Sequence, residues 1–250
     1  MPAGPTSLRL LDEPATPPAR NMALDEALLL AGDDAALRLY GWAPHAVSLG
    51  YFQRIADFAD LEASVPKVRR LTGGGAIWHG DELTFALAAP AALLPRDLDA
   101  GYALLHDAVA AALGEIGVAV TRLTVGAAPG PRPHARWCFE VPGRHDLVDD
   151  RGRKLVGSAQ RRVRTAAGPR VLHHGSIVLR RPAATPFVAA IADRVDPASV
   201  AAPLRRALAR TIAAAVGISL GHGAWTAAEA TLARTLQRDR YDAPAFLAVR

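Results

Sequence analysis

The sequence predicts an α+β fold built on a mixed β-sheet. Short apolar runs of strand length are interspersed with helical repeats but do not follow strict strand–helix–strand alternation. Asp149-Asp-Arg-Gly152 has hairpin-turn chemistry between two strand-like runs, which joins neighbouring strands antiparallel. The chain of 250 residues, half of them hydrophobic, has ample core for one large α/β domain or two small ones. No linker of random-coil composition divides it, so residues 1–250 are expected to form a single domain.

Taken in order, residues 7–11 alternate weakly and read as an opening strand, after which Pro14, Pro17 and Pro18 stop regular pairing. Pro17-Pro18 is well placed to begin a helix over 21–30, with Met22, Ala23, Ala27 and Leu30 as its apolar stripe and Gly32 as its end. Asn21, Asp25 and Glu26 lie beside that stripe, where helix carboxylates are ordinarily solvated. Residues 36–42 and 46–52 read as strands joined at Pro44, and 58–64 as a short helix before a basic strand over 67–71. A glycine loop leads into the strand over 82–89, ended by Pro90. Residues 98–116 carry the repeat of an amphipathic helix, with Gly117 as its stop and a strand over 118–124 beyond. Residues 126–134 form a Pro/Gly-rich loop. The strands over 145–148 and 154–163 flank the hairpin turn, and 171–179 is another strand. From about residue 184 the chain is Ala-rich and reads as helical, with Pro203 starting one helix and Gly217 ending it.

Composition narrows the function. No run of about 18 apolar residues is present, so a membrane span is not expected. The N-terminus lacks a charged segment followed by an apolar one, so the default expectation is a cytoplasmic protein. One cysteine allows neither an internal disulfide nor a cysteine-based zinc site, and no H-E-x-x-H spacing suggests another metal. The net charge of +5 raises nucleic-acid binding. However, the denser basic groups, Arg161/Arg162/Arg164 and Arg205/Arg206/Arg210, lack interleaved aromatics and match no helix-turn-helix or zinc module. They are solvated surface, or a docking face for an acidic protein.

Two stretches carry the chemistry. In Arg69-Arg-Leu-Thr-Gly-Gly-Gly-Ala-Ile-Trp-His79, three glycines expose bare backbone while Arg69, Arg70, Thr72 and His79 bring hydrogen-bond donors. The stretch is either a ligand-holding loop or a tight hairpin turn with an incidental basic pair; the Walker A and dinucleotide spacings are absent. The lone Cys138 is either a small buried apolar residue or a nucleophile, since a neighbouring cation populates the thiolate. Lys154 is the natural cation, unless it is only a solvated strand end. Gly157, Ser158 and Ala159 leave room beside it for a ligand, and Gln160 offers a donor. His173 and His174, adjacent on a strand, point to opposite faces and cannot both line one site.

Together these segments resemble the lipoate–protein ligase, octanoyltransferase and biotin–protein ligase superfamily. The resemblance rests on Asn21-Met-Ala-Leu-Asp-Glu-Ala27, Ser48-Leu-Gly-Tyr-Phe-Gln53, the Arg69–His79 stretch, Lys154-Leu-Val-Gly-Ser-Ala-Gln-Arg-Arg162 and His173-His-Gly-Ser-Ile177, in the family's order. Cys138-Phe-Glu-Val-Pro142 is similar to the segment in which Gram-positive-type octanoyltransferases place their cysteine, although the turn before Lys154 is one residue longer than usual. The resemblance implies a catalytic domain of the class II synthetase-like type, with a central mixed β-sheet flanked by helices.

It also implies an acyltransferase that takes octanoate from acyl carrier protein, holds it as a thioester on Cys138 beside Lys154, and passes it to a lysine of a lipoyl domain. Such a domain belongs to the glycine cleavage H protein or a 2-oxoacid dehydrogenase E2. The expected substrate-binding residues are Arg70, Thr72, Gly73, Gly74, Gly75 and His79, with Gly157, Ser158, Ala159, Gln160, Gly175 and Ser176 from the later strands. Backbone N–H groups of such a slot are expected to stabilise the oxyanion. No cofactor, metal, nucleic acid or membrane is expected. The alternatives are an ATP- and Mg-dependent lipoate ligase lacking its accessory domain, or a non-catalytic acyl- or carrier-binding homologue. The chain ends soon after these motifs, which weighs against a complete ligase.

Overall fold

The computed structural model describes residues 7–126 and 136–250. Its centre is an eight-stranded mixed sheet in the order β11-β1-β2-β6-β10-β9-β8-β7. β1 (Ser7–Asp12) runs parallel to both β2 (Ala35–Tyr40) and β11 (Ser219–His222), and the pairings from β2 onward are antiparallel. These involve β6 (Glu82–Pro90), β10 (Gly168–Val178), β9 (Lys154–Thr165), β8 (Leu147–Val148) and β7 (Thr121–Arg122). A small second sheet has β3 (Ala46–Leu49) between β4 (Lys67–Arg69) and β5 (Ile77–His79).

Both faces of the large sheet are covered, which is why β2 is buried along its whole length and reads as a nearly continuous apolar run. On one face α2 (Leu98–Glu115) and α3 (Pro197–Val216) bring Leu105, Val109, Leu113, Leu208 and Ile212 against Leu37, Leu39, Phe85 and Leu87. On the other, Met22, Leu28 and Leu29 of α1 (Pro18–Ala31) meet Tyr40, Ala86, Ala88 and Leu172, with Val68 and Leu71 of the small-sheet segment alongside. α4 (Ala227–Leu236) closes over the outside of α1 through Ala233, and the four-residue α5 (Pro244–Leu247) follows. Among the described residues no helix is long and apolar enough to cross a membrane.

The central mixed sheet flanked by helices is the architecture expected from the sequence. Several elements differ. Residues 58–64 are not a helix: a 3-10 turn occupies Ile55–Phe58, and Pro66 disfavours helical backbone at Val65. α3 starts at Pro197 rather than Pro203, because the Asp196 side chain accepts the Ala198 amide (3.2 Å) and Pro197 takes the first turn. His145 has φ +73°, a left-handed conformation that keeps it out of β8. The glycine loop is no hairpin, since β3 lies between β4 and β5. Residues 118–124 yield only the two-residue β7. Within the tail read as helical, β11 pairs with β1. The 126–134 loop lies outside the described residues beyond Gly126.

Candidate active site

α1 sets the site from beneath. Asn21, Asp25 and Glu26 are buried, contrary to the solvated face expected of them. The fully buried Arg38 on β2 donates to Asp25 Oδ1 (3.0 Å) and Asn21 Oδ1 (2.7 Å). Burial pushes the Asp25 pKa up, but the hydrogen bond from His174 and the charge of Arg38 outweigh it and leave it lowered. His174 Nδ1–H faces Asp25 Oδ2 at 3.1 Å, which leaves Nε2 to accept from Thr72 Oγ1 at 2.8 Å. One hydrogen-bond chain therefore runs from α1 through β10 to the threonine that opens the glycine loop.

The loop itself is shaped by Arg70. Its buried guanidinium donates to the carbonyls of Ser48 (3.1 Å), Gly73 (2.7 Å) and Gly75 (2.7 Å), and burial lowers its pKa. Gly74 adopts φ +95°, and a Cβ on Gly50 would lie 1.8 Å from the Gly74 carbonyl oxygen, so loop and strand end meet backbone to backbone. Arg69, expected beside it as a ligand donor, instead turns away to the carbonyls of Gly50, Tyr51, Gln53 and Leu247. His79 is held between Glu82 Oε1 (2.9 Å) and Ser48 Oγ (2.7 Å), and Trp42 stacks on it at 3.6 Å between ring centroids. Glu82 Oε1 also accepts from Thr84 (2.6 Å) and Ser176 (2.8 Å).

Cys138 reaches this loop by a single β-bridge. Ala76 N–H donates to the Arg136 carbonyl and Cys138 N–H to the Ala76 carbonyl, each at 2.8 Å. Lys154, at the start of β9, is buried with its side chain 3% exposed. Its Nζ stands 3.4 Å from Cys138 Sγ, 3.1 Å from the Cys138 carbonyl and 2.8 Å from Asp146 Oδ2. Burial pulls the Lys154 pKa down, but attraction by Cys138 and Asp146 prevails and raises it. A Cβ on Gly157 would lie 2.3 Å from Lys154 Cε and 2.6 Å from Nζ, so the ammonium lies where only glycine leaves room.

These groups surround a cavity of about 290 Å³. Its mouth carries Phe52, 56% exposed, and Leu98, 40% exposed, whereas Met22, Tyr40, Trp42 and Thr84 close its buried end. Cys138 and Lys154 line it, as do Arg70, Thr72, the three loop glycines and His79. Gly157, Ser158, Ala159, Gln160, Gly175 and Ser176 complete the set read from the sequence. Two of their side chains have other commitments. Ser158 Oγ lies 2.6 Å from His106 Nε2, and Gln160 Nε2 donates to His173 Nδ1 at 3.2 Å rather than being turned toward a ligand. His174 lines the cavity while its neighbour His173 packs against Tyr102, so only one of the pair faces the site.

Sequence reasoning missed Asp146, Ser48, Glu82, Trp42 and Tyr102. Asp146 left no pattern to read: it precedes the two-residue β8, and a register shift between Leu147 and Val148 breaks the alternation that would tie it to the face of Lys154. Among the described residues no group of three or more His, Cys, Asp or Glu is arranged to hold a metal ion.

An octanoyltransferase LipM of Moorella thermoacetica is 42% identical over 182 residues, covering 68% of this chain and 64% of the relative. The chain thus spans just under two thirds of that relative's length. An octanoyltransferase LipM of Symbiobacterium thermophilum is 33% identical, with 94% of this chain and 96% of the relative covered. A structure of the bipartite lipoate protein ligase of Thermoplasma acidophilum and its E2 lipoyl domain superposes with a TM-score of 0.74. It is 22% identical and covers 99% of this chain and 98% of that one, a likeness of fold. Residues 17–212 match the lipoyl protein ligase A/B catalytic domain, and the chain belongs to that family.

Proposed function

We propose that the protein is an acyltransferase that moves octanoate from a carrier thioester to the side-chain amine of a lipoyl-domain lysine, through a thioester on Cys138. The observation that carries this reading is the 3.4 Å approach of the Lys154 ammonium to Cys138 Sγ on the wall of the cavity. An ammonium at that distance favours the thiolate, the nucleophilic form of cysteine. The relatives named octanoyltransferase support octanoyl transfer.

In the first half-reaction the Cys138 thiolate attacks the carbonyl carbon of the octanoyl thioester. The tetrahedral intermediate collapses with loss of the carrier thiolate, which takes up a proton. One C–S bond forms and one breaks, with no redox change. In the second half the neutral lysine amine attacks the Cys138 thioester, the cysteine leaves as thiolate, and the new amide nitrogen sheds its proton to solvent. A thioester is already activated, so neither half needs ATP or a metal ion. The eight-carbon tail lies along the apolar side of the cavity toward Trp42 and Met22. Burying it contributes about 5 kcal/mol at ~0.8 kcal/mol per methylene, enough to select for chain length. Arg70 takes the carbonyls of Gly73 and Gly75, so the loop meets the substrate carbonyl with its N–H side.

The donor in this reading is octanoyl-acyl carrier protein, and the acceptor a lipoyl domain of the glycine cleavage H protein or a dehydrogenase E2. The exposed Arg161 and Phe52 at the cavity mouth suit acidic carriers that present a tethered acyl group or a lysine.

The test is to incubate the protein with octanoyl-acyl carrier protein and an apo lipoyl domain without ATP and follow the mass of the acceptor. Transfer that is abolished in Cys138→Ala is expected. Modification that demands ATP and survives Cys138→Ala would make the protein a ligase, and no modification under either condition would leave a binding protein.

A further inference from the structure

Lys154 has three N–H donors, and all three are engaged: by the Cys138 carbonyl, by Cys138 Sγ and by Asp146 Oδ2. Asp146 is itself held, since the same Oδ2 accepts the Gly143 amide at 2.7 Å and its side chain is only 10% exposed. The ring of Phe139 lies 4.9 Å from the ammonium and shields it further.

Through the proposed cycle the charge on Cys138 alternates. It is negative as the thiolate and neutral as the thioester, whereas the ammonium stays positive. A buried cation stripped of its counter-ion is destabilised or gives up its proton. The other titratable groups near the pair supply no anion: Tyr102 and His106 from α2 are held uncharged by burial, and Arg70 is a cation. Among the described residues Asp146 is the carboxylate within ion-pair distance of Lys154.

We propose that Asp146 is a positioning residue: it keeps the Lys154 ammonium charged and aimed at Cys138 while the cysteine is acylated, and it competes with the free thiolate for that ammonium between turnovers. This rests on the acyl-transfer reading and adds a residue to it. The two roles have opposite signs. Removing the carboxylate eases formation of the free thiolate but leaves the acyl-enzyme with an uncompensated cation.

Two measurements on Asp146→Asn read those signs separately. The pH dependence of Cys138 alkylation by iodoacetamide should move its midpoint down by about one pH unit. Discharge of octanoyl-Cys138 to a lipoyl domain, after loading with an octanoyl thioester, should slow at least about 10-fold, and Asp146→Glu should restore most of that rate. Thermal melting checks the fold, and Asp146→Ser carries the same expectations should the asparagine variant not fold. A merely structural role would lower the melting temperature without moving the alkylation midpoint downward. An unmoved or upward-shifted midpoint, or an unchanged discharge rate in a folded variant, would overturn the inference. Failure of the wild-type protein to load Cys138 at all would instead sink the transfer reading.

Discussion

At the scale of single residues, the site depends on one absent methyl group. Lys154 reaches Cys138 across the space that a side chain on Gly157 would fill, so Gly157→Ala must push the ammonium away from the sulfur. The expected result is a loss of octanoyl transfer of about 10²-fold or more with the melting temperature changed far less, since a displacement near 1 Å is enough for such a loss. Transfer kinetics beside a melting curve check it, and a near-native rate would show that the ammonium need not sit there. Much at this scale was legible in the sequence. Cys138, Lys154 and the glycine loop stand in short local motifs whose residue types already carry their chemistry. Asp146, Glu82 and Ser48 were not legible in that way. Each acts on a partner set by strand register or by the meeting of two sheets, and a lone acid or serine in sequence reads as solvated surface.

At the scale of elements, α2 is tied to the site strand by a buried histidine. His106 Nδ1 bonds the His145 carbonyl and Nε2 faces Ser158 of β9, so the imidazole must be neutral to accept the serine hydrogen. Burial lowers its pKa to about 4, from an ordinary value of 6.5. The unfolded chain therefore binds that proton first, and the folded protein loses stability as pH falls from about 6.5 toward 4. One such group contributes about 3 kcal/mol of this loss, and His173, lowered by the same burial, adds to it. Denaturant midpoints should fall across that interval, and His106→Gln should remove part of the slope; a flat profile between pH 7 and 4.5 would contradict the neutral assignment. The helices were legible because their apolar repeats are long. β11 and the start of α3 were not: a four-residue edge strand carries little pattern, and Pro197 and Pro203 are both admissible near a helix start until the Asp196 cap is seen.

At the scale of the whole molecule, the sheet brings together residues far apart in the chain. β6, β10 and β9 lie side by side, so Thr84, Ser176 and Gly157 share one wall, and the small sheet folds the glycine loop and Cys138 over it. Antiparallel pairing in this part of the sheet was foreshadowed by the Asp149–Gly152 hairpin, but the parallel pairing of β11 with β1 was not, because it depends on the chain's return after α3. Buried Arg38 and Asp25 then lock α1 to the sheet beneath the cavity floor. The resulting shape has an open mouth, an apolar end and a thiol beside an ammonium, which is what a covalent relay of a fatty acyl group requires. That relay is tested most directly by mass spectrometry of the intact protein after mixing with octanoyl-acyl carrier protein in the absence of nucleotide and acceptor. One octanoyl group per chain is expected, mapped to Cys138 and discharged when a lipoyl domain is added; a protein that modifies the acceptor without ever carrying the acyl group on its cysteine would rule the relay out.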